Sequence, residues 1–350
     1  MHTLLLSVLL IISIKYTKEK TNNVGRNEKV VLNSITKEKK IFDKEPNHVL
    51  TKEMFESINP DFPSFVSIHN TTPKDKHWVK VDAMSDEFKT WDSNKWKKST
   101  WNYGEPVFMS TDAENSGVTD GKLWIRATLD ENNFVTKKVD GKEVKEHRWF
   151  KTARIHSKTK IKYPMYTEAS IKAAYISAYS TYWLNNGDIK NRDEIDIIEI
   201  NPRPSCECQP EFPNRMNSQY FQADENKIPA TVRHEDNFLR SNLSEVNPKK
   251  HLGWHEGFHT FGLWWKDEKH IQFYLDGEPA GSVTVGEHRD GKYYKERVFT
   301  RDQEIIFDLW TYHEKWIGGI TQKEHLSNTE NSTFQIDWVR TWTLEDKPED

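Results

Sequence analysis

Cysteine is nearly missing from this chain, with only Cys206 and Cys208 among 350 residues. That excludes a disulfide-stapled scaffold and a zinc centre built from four thiolates. An excess of positive charge is also lacking. Fifty Lys and Arg stand against 54 Asp and Glu, a formal charge of −4. A surface that neutralises a nucleic-acid backbone is therefore not expected. No apolar run reaches the roughly 20 residues that span a bilayer. Apolar residues make up only 35% of the chain and charged residues 30%. The core must then come largely from rings, and these are plentiful: 17 Phe, 14 Trp and 12 Tyr.

The longest apolar run, Leu4 to Ile14, is broken only by Ser7 and Ser13. Its length suits the hydrophobic region of a secretory signal spanning residues 1–17, which implies export to the periplasm or beyond. The region before it holds His2 but no Lys or Arg, so a short buried strand is the competing reading. Residues 18–52 are rich in Lys, Glu and Asn without sustained periodicity, and read as a disordered leader. Residues 53–350 read as a single domain.

Within that domain the periodicity is two. Lys122 to Leu129, Glu168 to Ser177, Ser180 to Leu184, Glu304 to Trp310 and Ser332 to Leu344 all have strand character. His270 to Val283 is a hairpin pattern around Asp276-Gly277. Helical spacing is limited to one turn near Lys52 to Ser57. Many short strands predict an all-β sandwich or barrel.

The chemistry concentrates in Asp193-Glu194-Ile195-Asp196-Ile197-Ile198-Glu199-Ile200. In a flat strand Glu194 and Asp196 share a face, and Glu199 has the wrong parity to join them. The isoleucines switch parity at the same place. A one-residue bulge near Ile197–Ile198 reconciles both patterns and puts Glu194, Asp196 and Glu199 on one face. The two glutamates then sit about 13 Å apart along the strand at about 3.3 Å per residue. Leaning together, their carboxyls reach the roughly 5–5.5 Å separation of a retaining glycosidase. Two other readings use the same residues: a charged edge strand, and a carboxylate site for Ca²⁺ or Mg²⁺.

These residues resemble glycoside hydrolase family 16, whose E-x-D-x-x-E signature matches Glu194-Ile-Asp-Ile-Ile-Glu199. The resemblance extends through His77-Trp78, Tyr182-Trp183-Leu184, His259 to Lys266, Phe273 to Gly277 and Ile336 to Arg340, in the family's order. It is closest to the agarase and porphyranase branch. The family implies a jelly-roll sandwich of two antiparallel sheets with a concave cleft. It implies endo-hydrolysis with retention, with Glu194 as nucleophile, Glu199 as general acid/base and Asp196 as helper. The branch implies β-1,4 bonds of red-algal galactans, either sulfated porphyran or neutral agarose. A non-catalytic glycan-binding protein is the alternative from another class. No cofactor is implied for catalysis, and a monomer is expected. Many relatives carry a structural Ca²⁺, for which Asp337 and the Gly121 carbonyl match.

A polysaccharide site needs flat rings against the C–H faces of sugars, with polar groups around them. Trp78, Trp101, Trp149 and Trp183 are the candidate platforms, and His259 aligns near the acid/base. A sulfated polymer calls for guanidinium groups. Arg148, Arg154 and Arg215 are the candidates, and the absence of histidines from Asn214 to Tyr220 favours porphyran. Cys206 and Cys208, separated by one residue in a Pro-rich loop, are compatible with free thiols or a labile bond.

Overall fold

The computed structural model describes residues 49–69 and 71–348. The expected signal at 1–17 and nearly all of the leader lie outside the described residues. Residues 50–137 and 145–348 form the main body, and residues 138–144, the tip of the hairpin formed by Phe134–Val139 and Lys142–His147, group apart from it.

Two antiparallel sheets account for most of the strands. One has the order Thr231–Glu235, Gln219–Asp224, Asn191–Ile200, Tyr179–Gly187, Glu304–Trp310, Arg154–Ser157, Trp96–Lys98. The other runs Glu278–Thr284, His270–Leu275, His259–Trp265, Met165–Lys172, Thr333–Asp346, Lys122–Arg126, Ser116–Thr119, with Lys76–Lys80 also paired to Thr333–Asp346. Their facing side chains form one core. Ile195, Ile197, Tyr182 and Phe307 from the first sheet share it with Ala169, Leu263, Phe261 and Ile336 from the second. The Thr167 and Tyr182 hydroxyls bond across it at 2.7 Å. Alternation explains the arrangement: Ile305, Phe307 and Leu309 enter the core, leaving Ile306, Asp308 and Trp310 on the opposite face.

A second, smaller core lies on the outer face of the second sheet. The short helix Ser64–His69 brings Phe65 onto Tyr274 and Trp264, with ring centroids 4.6 Å and 5.4 Å apart. Trp78 meets Phe65 edge-on at 5.9 Å and is buried there. This corrects its assignment as a sugar platform: Trp78 fills a packing site on the side of the sandwich away from the acidic strand.

Glu168 closes this outer core. It accepts hydrogen bonds from the Ser64 backbone N–H and from the Tyr166 hydroxyl at 2.9 Å. Burial, the largest influence, pushes its pKa up to about 7. The folded chain therefore holds this proton more tightly than the unfolded chain does, so stability falls as pH rises from about 4.5 towards 7. The loss is on the order of 3 kcal/mol. Glu168→Gln should flatten this pH dependence of the melting temperature. Parallel slopes for the variant and the parent would refute the assignment.

Candidate active site

The strand Asn191–Ile200 carries the bulge that its sequence demands. Tyr182 faces Ile198 while Trp183 faces Asp196, so Ile197 is the additional residue. Ile195, Ile197, Ile198 and Ile200 are all completely buried in the main core. Two adjacent isoleucines can enter one core only where the strand's alternation is interrupted. Glu194, Asp196 and Glu199 consequently share the opposite face, across from Asn185, Trp183 and Thr181 respectively.

Their environments differ. Arg192 lies 3.1 Å from Glu194; burial raises that carboxyl, and the positive charges of Arg192 and Arg154 oppose the rise without cancelling it. Glu199 accepts a hydrogen bond from Gln219 Nε2 at 3.0 Å. Burial, then the negative charges of Glu194 and Asp308, push Glu199 up to about 8. Asp196, between the two, is raised well above its ordinary value by burial and by both glutamates. Among the three, Glu194 has a guanidinium at ion-pair distance that favours its ionised form, whereas Glu199, pushed up to about 8, holds its proton at neutral pH.

Asp308 was not anticipated, although its isolation in the apolar run Ile305 to Trp310 was a signal. It is completely buried on the carboxylate face. Arg154 binds it through Nε at 2.6 Å and Nη2 at 2.5 Å, the Tyr103 hydroxyl donates at 3.0 Å, and Thr181 Oγ1 donates as well. The Arg154 guanidinium lies 4.2 Å from the Trp101 ring, 4.5 Å from Tyr103 and 5.4 Å from Trp183. Tyr103 stacks on Trp310 at 4.4 Å, and Trp310 packs against Tyr179 and Trp316. Trp101 and Trp316 remain 53% and 49% exposed, so a ring wall flanks the carboxylates. Trp183 Nε1, Trp310 Nε1 and Asn185 Oδ1 are buried on this face without a protein hydrogen-bond partner.

Of the expected platforms, then, Trp101 and Trp183 belong to the site. Trp149 does not: it is buried against Phe150 in the main core with the Lys323 ammonium over its ring. His259 is also reassigned. It is buried in the other sheet, with Nδ1 2.7 Å from Asp276 and Nε2 3.0 Å from the Leu252 carbonyl, so both ring nitrogens are occupied.

The anion-reading roles of the expected arginines change too. Arg154 is buried and committed to Asp308, so it sets the wall in place instead of reaching for a ligand. Arg148 is paired with Glu146 at 2.7 Å. Arg215 donates to Asn217 Oδ1 at 2.6 Å and lies over Phe212. Asn217 Nδ2 in turn donates to the Glu199 carbonyl at 2.6 Å, which places Arg215 at the Glu199 end of the site.

Asp337 sits in a bulge of its own strand, following Ile336, which faces Leu123 two residues beyond Gly121. Among the described residues no group of three His, Cys, Asp or Glu side chains could hold a metal. A calcium ion there would rely on the Asp337 carboxylate together with backbone oxygens. Cys206 and Cys208 are joined in a disulfide beside the Pro-rich loop.

A β-sandwich with three carboxylates brought together by a strand bulge, flanked by a ring wall, defines a glycoside hydrolase. The chain belongs to the family described as Beta-porphyranase A-D, GH16 domain, whose model matches residues 78–344. It is 28% identical to a β-agarase of Phocaeicola plebeius over 255 residues, 70% of this chain and 74% of that one. It is 26% identical to β-porphyranase E of Zobellia galactanivorans, covering 78% of this chain and 90% of the relative. Among solved structures, the β-porphyranase BpGH16B of the human gut bacterium Bacteroides plebeius superposes with a TM-score of 0.60 at 25% identity, covering 85% of this chain and 99% of that one. The sandwich is the jelly roll of these enzymes.

Proposed function

We propose that this enzyme is a retaining endo-β-galactanase that cuts β-1,4 bonds in red-algal galactans, with sulfated porphyran as its preferred polymer. The observation that carries the reading is the pair of unlike glutamates on one face of the bulged strand. Glu194, beside Arg192, attacks the anomeric carbon as a carboxylate. Glu199, held protonated, gives its proton to the departing glycosidic oxygen. A covalent glycosyl–enzyme ester forms, and Glu199, now a base, activates the water that hydrolyses it. Asp196 keeps its proton between them and is a positioning residue that limits the negative charge on the strand.

The ring wall from Trp183 to Trp101 supplies stacking surface for neighbouring sugars. It serves agarose equally well, so neutral agarose is the second reading. Among the described residues no helix is long and apolar enough to cross a membrane. Action outside the cytoplasm fits both a polymeric substrate and the signal-like Leu4 to Ile14 run. Release of reducing ends from purified porphyran, agarose and laminarin tests the substrate class. New ends from porphyran above all are expected. Cleavage of laminarin alone would overturn the galactan assignment.

A further inference from the structure

The buried Arg154–Asp308 pair stands in line with Glu199. Four adjacent strands carry one row of residues on the carboxylate face: Glu199 faces Thr181, Thr181 faces Asp308, and Asp308 faces Arg154. The negative end of the pair is therefore the nearer to Glu199, at two strand spacings, or about 9–10 Å. The guanidinium packs over the rings of Trp101, Tyr103 and Trp183. Trp183 lies opposite Asp196, one row closer to Glu194.

A buried ion pair is no more stabilising than apolar side chains of similar size, so stability alone does not account for it. Three donors nevertheless serve the Asp308 carboxylate: Arg154 and the Tyr103 and Thr181 hydroxyls. The electrostatics follow the geometry. Burial and the Glu194 charge raise Glu199 most, and the Asp308 charge adds to them. On Glu194, which burial raises, Arg154 lowers more than Asp308 raises. The other groups around Glu199 are Asp196 on its own strand, Gln219 donating to it, and Arg233 opposing the rise from Thr231–Glu235. Arg215 is at the same end, and burial keeps the Tyr103 and Tyr179 phenols neutral.

We propose that Asp308 and Arg154 are positioning residues for the cleavage step, an oriented ion pair that makes the two glutamates unlike. Its carboxylate faces the general acid, and its guanidinium acts on the nucleophile. The same pair seats the ring wall, so the sugar platform and the proton inventory of the site are set by one contact. The assignment rests on the galactanase reading and adds to it a cause for the division of labour between Glu194 and Glu199.

The test compares pH profiles of kcat/KM on porphyran and on agarose for the parent, Asp308→Asn, Arg154→Met/Asp308→Asn and Arg154→Lys, with folding checked by circular dichroism. Asp308→Asn should move the alkaline limb down by about one pH unit, as expected for one charge at that distance in an effective dielectric of about 20. The acidic limb should move the same way, because Arg154 is then unopposed. The double variant buries no lone charge, so it serves should the single one fail to fold, and its alkaline limb should move down by less. Arg154→Lys keeps both charges but loses the planar fork over the rings, so its limb should stay while KM rises. An unmoved alkaline limb in folded Asp308→Asn or in the double variant, whatever the loss of rate, would overturn the proposal. A limb displaced by Arg154→Lys would do the same, and either result leaves the galactanase reading standing. A parent that cuts neither polymer would instead defeat that reading, and the role of the pair with it.

Discussion

Glu194→Gln should reduce kcat on a soluble galactan by about 10⁴-fold or more, because Glu194 is the carboxylate we propose forms the ester to the anomeric carbon. The substitution keeps the side chain's size and removes its charge. Glu194 is buried on the strand between Asn185 and Phe221, where an amide fits without moving the isoleucines behind it. Oligosaccharide binding should therefore survive, measurable by calorimetry with the inactive variant. One electrostatic consequence distinguishes this reading from a general loss of structure. The Glu194 charge helps to raise Glu199 and Asp196, so its removal should lower the pKa of both. Full turnover by the variant would exclude Glu194 as nucleophile and restore the competing picture of a charged strand.

The second large effect concerns Glu199. Glu199→Ala should slow hydrolysis of the natural polymer by about 10²–10⁴-fold, the range of a lost general acid. A substrate whose leaving group needs no proton should be affected far less in the first step, leaving the covalent intermediate to accumulate. The parent enzyme should show the matching pH profile. With Glu199 pushed up to about 8, the proton needed for bond cleavage is present at neutral pH and lost as the pH climbs through that value. Activity on the polymer should therefore decline on the alkaline side, and this limb should vanish with the activated substrate. An unchanged alkaline limb in Glu199→Ala would assign the titration to another group. Asp196 is the first alternative, since it is also raised.

The acidic strand is legible in the sequence because its information is local. Ile195 and Ile197 set one parity and Ile198 and Ile200 the other, and every one of them needs the core. Only a bulge satisfies all four, and the same bulge brings Glu199 onto the face of Glu194. The all-β architecture is legible for a related reason, since a period of two and closely spaced turns leave no stripe for a helix to bury.

The surroundings of that strand are less accessible. Trp78, Trp149 and His259 carry chemistry suited to a sugar site, yet each is consumed elsewhere, by Phe65, by Phe150 and Lys323, and by Asp276. Alternation tells which residues share a face, but not whether that face meets the other sheet, an outer helix or solvent. The helix Ser64–His69 shows the consequence, because its docking turns the outer side of a sheet into a second core. The Arg154–Asp308 pair joins residues 154 positions apart, and nothing local to either one announces the other.

Local alternation and its single interruption are thus enough to bring the three candidate carboxylates onto one face, since strand geometry links neighbouring residues directly. Which arginine is spent on a buried aspartate is settled only when the strands take their order in the sheet. That order sets the distance between charges distant in sequence, and distance governs how strongly they act on each other.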